Sequence, residues 1–148
     1  MRKESVILIA EDDEQRFSLV TEALQHSGIS NKMLRFSDGR GLLDFLFTDK
    51  QGPKQQGSGG YLLLLQTSIP KIDGIGVLEK IKQDEQLKRV PVIMLSTIDE
   101  PGVIEHCYSL GCSIYIVTPA ERETFTDVVG KLGLFLSAID VPQVSTIE

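Results

Sequence analysis

The 148-residue chain has no tryptophan, only two cysteines and no long uninterrupted apolar stretch. With Cys107 and Cys112 alone, a disulfide scaffold is excluded, and their spacing does not suit a metal site, so both are predicted to be buried free thiols. No stretch reaches the roughly 18 apolar residues that a membrane span requires, and residues 1–4 lead into a strand pattern rather than a signal peptide. These absences predict a cytoplasmic protein.

Basic residues are also fewer than acidic residues. The chain has 15 Lys and Arg against 21 Asp and Glu, for a net charge of -6. Neutralising nucleic-acid phosphates requires a basic surface, so this composition disfavours nonspecific nucleic-acid binding and favours a protein partner. A hydrophobic content of 41% and a charged content of 24% are ordinary for a globular protein, and the length suits one domain with a good core.

The chain is organised around residues 61–76, where an apolar run meets a polar loop and then a helical pattern. The loop contains Pro70 and the pair Asp73 and Gly74. An apolar run bounded by turn residues is typical of a strand buried on both faces of a parallel sheet. Because ligands collect outside the carboxyl ends of such strands, a site is expected at the end of this one. The residues concerned are Gln66, Thr67 and Ser68.

Apolar runs alternate with helical patterns along the whole chain. The predicted strands cover residues 5–10, 32–36, 61–65, 91–95 and 113–117. Five helices are predicted from apolar residues at helical spacing, namely Phe17, Val20, Ala23 and Leu24; Leu42, Leu43, Leu46 and Phe47; Ile75, Leu78 and Ile81; Val103, Ile104, Cys107 and Leu110; and Phe125, Val128, Val129, Leu132, Leu136 and Ile139. Five strands alternating with five helices predict a doubly wound α/β fold with a flavodoxin-like strand order of 2-1-3-4-5.

Turn residues set the limits of these helices. Gly28 and Gly111 are predicted to end the first and fourth helices, and Asp73 is predicted to cap the third. Val141 and Pro142 are predicted to stop the last helix, and a charged, solvated segment is expected at 83–89.

One segment, KQGPKQQGSGG at residues 50–60, has low complexity. Its composition predicts a mobile loop insertion rather than a domain boundary, because neither side alone would close a sheet. The chain is therefore predicted to be a single domain over 1–148 with a short tail at about 141–148.

Three adjacent carboxylates, Glu11, Asp12 and Asp13, follow the first strand. Asp12 or Asp13 could cap the next helix, and all three favour the positive end of its dipole. Hard oxygen ligands at a strand end also suit magnesium. The local sequence leaves both interpretations open.

These features resemble the response-regulator receiver domains, the phosphoacceptor modules of two-component (phosphorelay) signalling, which have the CheY-like form of this fold. The resemblance covers nearly the whole chain. The LLLLQTSIPKIDG loop, the PVIMLST strand and the long loop before strand three are most similar to short stand-alone regulators that act beside bacterial and cyanobacterial phytochrome kinases. The resemblance implies a signalling module rather than an enzyme, with a sensor histidine kinase or other signalling protein as its partner. It also implies a homodimer formed through the face of helix 4, strand 5 and helix 5.

Several site positions match that family. The resemblance implies that Glu11 and Asp12 are the acidic pair that holds magnesium. It implies that Ser96, with Thr97 beside it, is the hydroxyl position after strand four, and that Tyr115 is the aromatic switch position. A hydroxyl at a strand end also commonly satisfies local backbone groups, so a structural role stays open for these switch residues.

Two defining positions differ from the family. The acceptor aspartate is replaced by Gln66, whose neutral amide is a poor nucleophile and a weak metal ligand. The lysine is replaced by Thr118, although the following Pro119 is kept, and Lys71 in the adjacent loop is predicted to be solvated. The sequence therefore predicts a pseudo-receiver that is not phosphorylated at the usual position and binds magnesium weakly or not at all.

Two other functions are open to the sequence. A receiver could use another nucleophile, such as Asp12, Asp13 or Ser68. A nucleotide-binding flavodoxin-like domain is disfavoured because acidic residues, rather than a glycine-rich phosphate loop, follow strand one. His26 and His106 lie on helical patterns and are predicted to be surface residues rather than phosphotransfer groups.

Overall fold

A computed structural model describes residues 1–49 and 60–142 and contains a five-stranded parallel sheet. The strands are β1 (Val6–Ala10), β2 (Met33–Phe36), β3 (Tyr61–Gln66), β4 (Val92–Ser96) and β5 (Ile114–Val117). Their order, β2-β1-β3-β4-β5, confirms the prediction. The predicted loop insertion, apart from Gly60, and the predicted tail from residue 143 onward lie outside the described residues, so these two predictions stay predictions.

Helices cover both faces of the sheet. They are α1 (Glu14–His26), α2 (Gly39–Asp49), α3 (Gly74–Gln83), α4 (Pro101–Leu110) and α5 (Arg122–Leu136), with a short 3₁₀ turn at Leu87–Arg89. Helices α1 and α5 pack on one face, and α2, α3 and α4 pack on the other. In the described part of the chain, no helix has the length and apolar character needed to cross a membrane.

The two central strands are apolar on both faces. Every side chain of β1 is buried, and β3 is buried from Tyr61 to Leu65. Gln66, the last residue of β3, is only half-buried. The apolar core therefore ends at Gln66, and the polar edge of the sheet begins there.

The predicted helix signals at three positions are confirmed. Asp73 caps α3 by accepting a 2.8 Å hydrogen bond from the backbone N–H of Gly76. Gly28 and Gly111 follow α1 and α4 with φ angles of +98° and +112°, a region that glycine enters without a Cβ penalty.

The prediction that both cysteines are buried free thiols is also confirmed. Cys107 and Cys112 are both buried and free. Burial raises the pKa of the Cys112 thiol to about 11. Both thiols are thus packing groups of the core.

The last helix is shorter than predicted. It ends at Leu136 rather than at Val141 and Pro142, and Ile139 lies beyond it. The physical reason is a change of hydrogen bonding, since the N–H groups of Ala138 and Ile139 bond three residues back instead of four.

Two further expectations need correction. The segment at 83–89 is not wholly solvated, because Leu87 is completely buried in the 3₁₀ turn, which the Asp84 carboxylate holds by accepting from the N–H groups of Gln86 and Leu87. Phe47, predicted with the apolar residues of α2, is 37% exposed.

Gly74 joins the start of α3 closely to the end of β3. Its N–H donates to the Thr67 carbonyl oxygen at 2.9 Å. A Cβ atom at Gly74 would collide with the Gln66 carbonyl oxygen and lie 2.8 Å from Thr67 Cα. Only glycine permits this approach, which fixes the backbone around Gln66.

We predict that Gly74→Ala lowers the free energy of unfolding by about 2 kcal/mol, because the added methyl group meets rigid backbone. Gly102→Ala is the matched control, since Gly102 lies in α4 with nothing within 4 Å of its Cβ position. That control should be neutral or stabilising by up to about 1 kcal/mol. Urea denaturation compares the two, and equal stability of both variants would contradict the prediction.

Candidate functional site

The carboxyl ends of β1, β3 and β4 meet at Gln66. The Gln66 side-chain Nε2 donates to Glu11 Oε1 at 3.4 Å. Its Oε1 accepts from the backbone N–H of Thr67 at 3.1 Å and from Thr67 Oγ1 at 3.4 Å. Both ends of the amide are therefore engaged by neighbouring groups of the same crevice.

Glu11 is the buried carboxylate of the site, with a side chain only 6% exposed. Its Oε2 accepts from the backbone N–H of Asp13 at 3.1 Å, and its Oε1 lies 3.7 Å from Arg16 Nε. Burial raises the pKa of Glu11, and the hydrogen bonds from Asp13 and Gln66 and the charge of Arg16 oppose that rise. The carboxylate is thus held by partners within the chain.

The other two acidic residues have separate environments. Asp13 caps α1, because its Oδ1 accepts from the N–H groups of Gln15 at 2.9 Å and Arg16 at 3.3 Å. The side chain of Asp12 is exposed. The capping interpretation is therefore correct for Asp13.

A second arginine binds the backbone at the end of β1. Arg35 on β2 donates from Nε to the Glu11 carbonyl oxygen and from Nη2 to the Asp12 carbonyl oxygen, each at 3.1 Å. Its guanidinium carbon lies 5.5 Å from the centre of the Phe17 ring. Sequence analysis missed both arginines, because their contacts join segments that lie apart until the sheet forms.

The residues at this edge offer a magnesium ion few free oxygen ligands as they are arranged. Glu11 already has partners on both carboxylate oxygens, and Gln66 Oε1 already accepts two hydrogen bonds. Within residues 1–49 and 60–142, no group of three or more His, Cys, Asp or Glu side chains is placed to hold a metal. A hard divalent cation needs several free oxygen ligands, and this arrangement supplies few.

Two of the three predicted switch residues, Ser96 and Tyr115, bond to the backbone of Ile98. Ser96 Oγ lies 2.7 Å from Thr67 Oγ1 and accepts from the Ile98 N–H at 3.0 Å. Tyr115 Oη donates to the Ile98 carbonyl oxygen at 2.8 Å. Thr97 is exposed and lies outside this set of contacts. The sequence did not predict the Thr67 contact, although a hydroxyl after β3 facing a hydroxyl after β4 was a usable signal.

Thr118, the predicted counterpart of the family lysine, is buried and neutral. Thr118 is 2% exposed, and its backbone N–H donates to the Ser96 carbonyl oxygen at 2.7 Å. In the part of the chain that is described, its Oγ1 is a buried side-chain oxygen without a hydrogen-bond partner. Lys71 is solvated, as predicted, because its side chain is 66% exposed, and its Nζ lies 3.6 Å from the Asp38 carboxylate.

The loop after β3 is hydrogen-bonded to the start of α2. The Pro70 carbonyl oxygen accepts from the N–H groups of Gly39 and Ile72 at 3.1 and 2.9 Å, which ties the loop to the start of α2. Ser68 is exposed in this loop. His26 and His106 are exposed on α1 and α4, as predicted.

We predict that Tyr115→Phe lowers the free energy of unfolding by about 1 kcal/mol, because the bond to the Ile98 carbonyl is lost. Burial raises the pKa of Tyr115 above its ordinary value of 10.0, and the neighbouring Ser96 side chain opposes that rise. The stabilisation is therefore complete below pH 10 and is lost as the pH rises through the higher folded-state pKa. The absorbance difference between wild type and variant at alkaline pH isolates this residue, and a midpoint at or below 10 would contradict the assignment.

Comparison with known proteins places this site in a family. The profile of the response regulator receiver domain matches residues 7–130. Response regulator Rcp1 of Synechocystis sp. is 32% identical over 138 residues, which cover 93% of this chain and 92% of Rcp1. The Mn²⁺-bound structure of Rcp1 has a TM-score of 0.80 at 29% identity, with 93% of this chain and 98% of that chain covered.

Two further solved structures agree. A response regulator receiver domain from Rhodospirillum rubrum has a TM-score of 0.86 at 33% identity, covering 93% of this chain and 97% of its own. The phosphorylated cyanobacterial phytochrome response regulator RcpA has a TM-score of 0.81 at 32% identity, covering 93% and 98%. The chain therefore belongs to the response regulator receiver domain family and is close to the phytochrome response regulators Rcp1 and RcpA.

Proposed function

We propose that the chain is an atypical response regulator, a pseudo-receiver that is not phosphorylated at Gln66 and that acts by protein–protein interaction. Receiver domains are in general non-enzymatic signalling modules that interact with histidine kinases or other signalling proteins. The observation that carries the proposal is the Gln66 amide, which stands at the acceptor position and is bonded at both ends.

Neither Gln66 nor Thr118 supplies the charged group that phosphoryl transfer uses at its position. A carboxylate can attack a phosphoryl group and hold a metal at once, whereas the Gln66 amide is neutral and a weaker ligand. The matched lysine position holds the buried neutral hydroxyl of Thr118. Magnesium binding is accordingly weak or lost in this proposal.

The hydrogen bonds around Gln66 form one directed series. The Ile98 N–H donates to Ser96 Oγ, and Thr67 Oγ1 donates to Gln66 Oε1. Each hydroxyl has one proton, so the 2.7 Å contact between Ser96 and Thr67 uses the proton of Ser96. Gln66 Nε2 then donates to Glu11. Every donor points toward the carboxylate, and aligned bonds of this kind strengthen one another.

This series is complete without a phosphoryl group. Tyr115 is attached to it through the Ile98 carbonyl oxygen. An equilibrium between two arrangements of Ser96 and Tyr115 is therefore biased by the sequence itself rather than by a chemical signal. The resulting protein presents one surface constantly and works as a binding module.

The side of α5 that faces away from α1 belongs to the proposed binding surface. Gly130 and Gly133 pack against Ser27, the residue that follows α1. Val128 and Phe135 are seven residues apart, about two turns of helix, and therefore lie together on the opposite side. Phe135 is 50% exposed there.

Exposed apolar groups continue from this side of α5 across β5 to α4. Val117 on β5 and Tyr108 on α4 are 39% and 47% exposed. Strand β5 is the outer strand of the sheet, and Tyr108 Oη accepts a 3.0 Å hydrogen bond from the backbone N–H of Tyr115. We propose that a second copy of the chain binds this α4–β5–α5 face.

Acetyl phosphate with magnesium tests the phosphorylation half of the proposal. We expect intact mass spectrometry to show no added phosphoryl group on the wild type, because no nucleophile stands at position 66. The double variant Gln66→Asp, Thr118→Lys should gain one, because it has both the carboxylate and the ammonium group.

The matched control for that experiment is Gln66→Asn, Thr118→Lys, which has the same shape as the aspartate variant without its nucleophile. It should stay unmodified. A phosphoryl group on the wild type would instead support another acceptor, and peptide mapping would assign it to Asp12, Asp13, Ser68 or elsewhere.

Light scattering across a concentration series tests the association half. We expect Phe135→Asp to abolish self-association, because it places a charge in an apolar contact, while Leu134→Asp leaves it unchanged. Leu134 is a suitable control because it is 62% exposed and lines the groove between α1 and α5 instead. A monomeric wild type, or an equal effect of both variants, would reject this face as a self-association surface.

A further inference from the structure

The Glu11 carboxylate is buried where an isolated charge would be costly. Removing a carboxylate from water strongly disfavours its ionised form unless a counter-charge is close. In receivers that bind a divalent ion, as in the Mn²⁺-bound structure of Rcp1, the ion is one source of positive charge. Here Arg16 Nε lies 3.7 Å from Glu11 Oε1.

Arg16 is held in place from two directions. Its backbone N–H donates to Asp13 Oδ1 at the first turn of α1. Its guanidinium carbon lies 5.4 Å from the centre of the Phe125 ring on α5, within the range of a cation–π contact. The side chain is 30% exposed, so the charge is partly shielded from water. Arginine keeps its charge at every relevant pH, which makes it a permanent counter-ion.

Arg35 adds a second positive charge at the same strand end. Its two contacts use the carbonyl oxygens of Glu11 and Asp12. Arg16 and Arg35 thus place two positive charges at the strand end that carries Glu11 and Asp12. An incoming divalent cation would meet two guanidinium groups and oxygen atoms that already have donors.

We propose that Arg16 is the built-in counter-ion of Glu11 and that it excludes the divalent cation from this site. The proposal deepens the proposed pseudo-receiver function and rests on it, because it explains how the carboxylate pair persists without metal-dependent phosphoryl transfer. It assigns to Arg16 the charge-balancing role that a bound metal would have. The neutral amide of Gln66, which supplies no anionic ligand, and the positive charge of Arg16 then act in the same direction.

Mn²⁺ binding measured by electron paramagnetic resonance tests the proposal. We expect no saturable binding by the wild type and saturable binding by Arg16→Gln, with an affinity at least about tenfold above the weakest that the assay detects, because one like charge near the site is removed. Added Mn²⁺ should also raise the Tm of Arg16→Gln and leave that of the wild type unchanged.

Two control variants test whether the effect requires a positive charge at position 16 in particular. Arg122→Gln removes the same charge from a residue that lines the same cavity of about 380 Å³ between α1 and the start of α5. It should behave like the wild type, as should Arg16→Lys, which keeps the positive charge. Saturable binding by the wild type, an equal gain in Arg122→Gln, or no gain in Arg16→Gln would each overturn the assignment.

A measurement of stability without metal keeps the proposal testable even if Arg16→Gln folds poorly. In a double-mutant cycle, Glu11→Gln and Arg16→Gln together should destabilise the protein less than the sum of the single changes, because each single change leaves a partly buried charge without its partner. Strict additivity would overturn the pairing. Phosphoryl transfer is scored separately by mass, so phosphorylation of the wild type would refute the proposed function while Mn²⁺ binding still decides the role of Arg16.

Discussion

The burial of β1 and β3 on both faces is the constraint on which the rest of the structure depends. Five consecutive apolar side chains in each strand leave no room for a polar group within the sheet, so polar groups collect where these strands end. Gly74 then brings the start of α3 directly against the end of β3. The surroundings of Gln66 are therefore set by core packing and by one glycine, before any polar contact is made.

Most polar side chains at the carboxyl edge of the sheet have their hydrogen-bond partners within that same edge. Glu11 takes hydrogen bonds from a backbone N–H and from the Gln66 amide and has a guanidinium group nearby. The hydroxyls of Thr67 and Ser96 extend the same series toward β5. Thr118 is the exception, since its buried hydroxyl lacks a partner among the described residues. Such an edge resembles a structural hydrogen-bond network more than a site awaiting a ligand.

Local signals were enough to predict the strand order, the cap at Asp73, the glycines that follow α1 and α4, and the buried thiols, because each depends on neighbours in the sequence or on simple periodicity. Contacts between distant segments could not be predicted in this way. The 2.7 Å hydroxyl contact joins residues 29 positions apart, and Arg16 meets Phe125 only after α1 and α5 have packed. Leu87 was missed because charged neighbours hide a single apolar anchor in a short turn. The end of α5 was missed because hydrophobic periodicity continues past the last helical hydrogen bond.

The hydroxyl of Tyr108 on α4, which lies against the outer edge of β5, has a consequence for how another chain can join the sheet. An unpaired strand edge is a template on which another strand can add, and repeated addition leads to open-ended polymers. Tyr108 occupies the backbone N–H of Tyr115 at that edge. Any partner that joined the sheet by strand addition would first have to remove this side chain. At this edge, contact through side chains is thereby favoured over extension of the sheet.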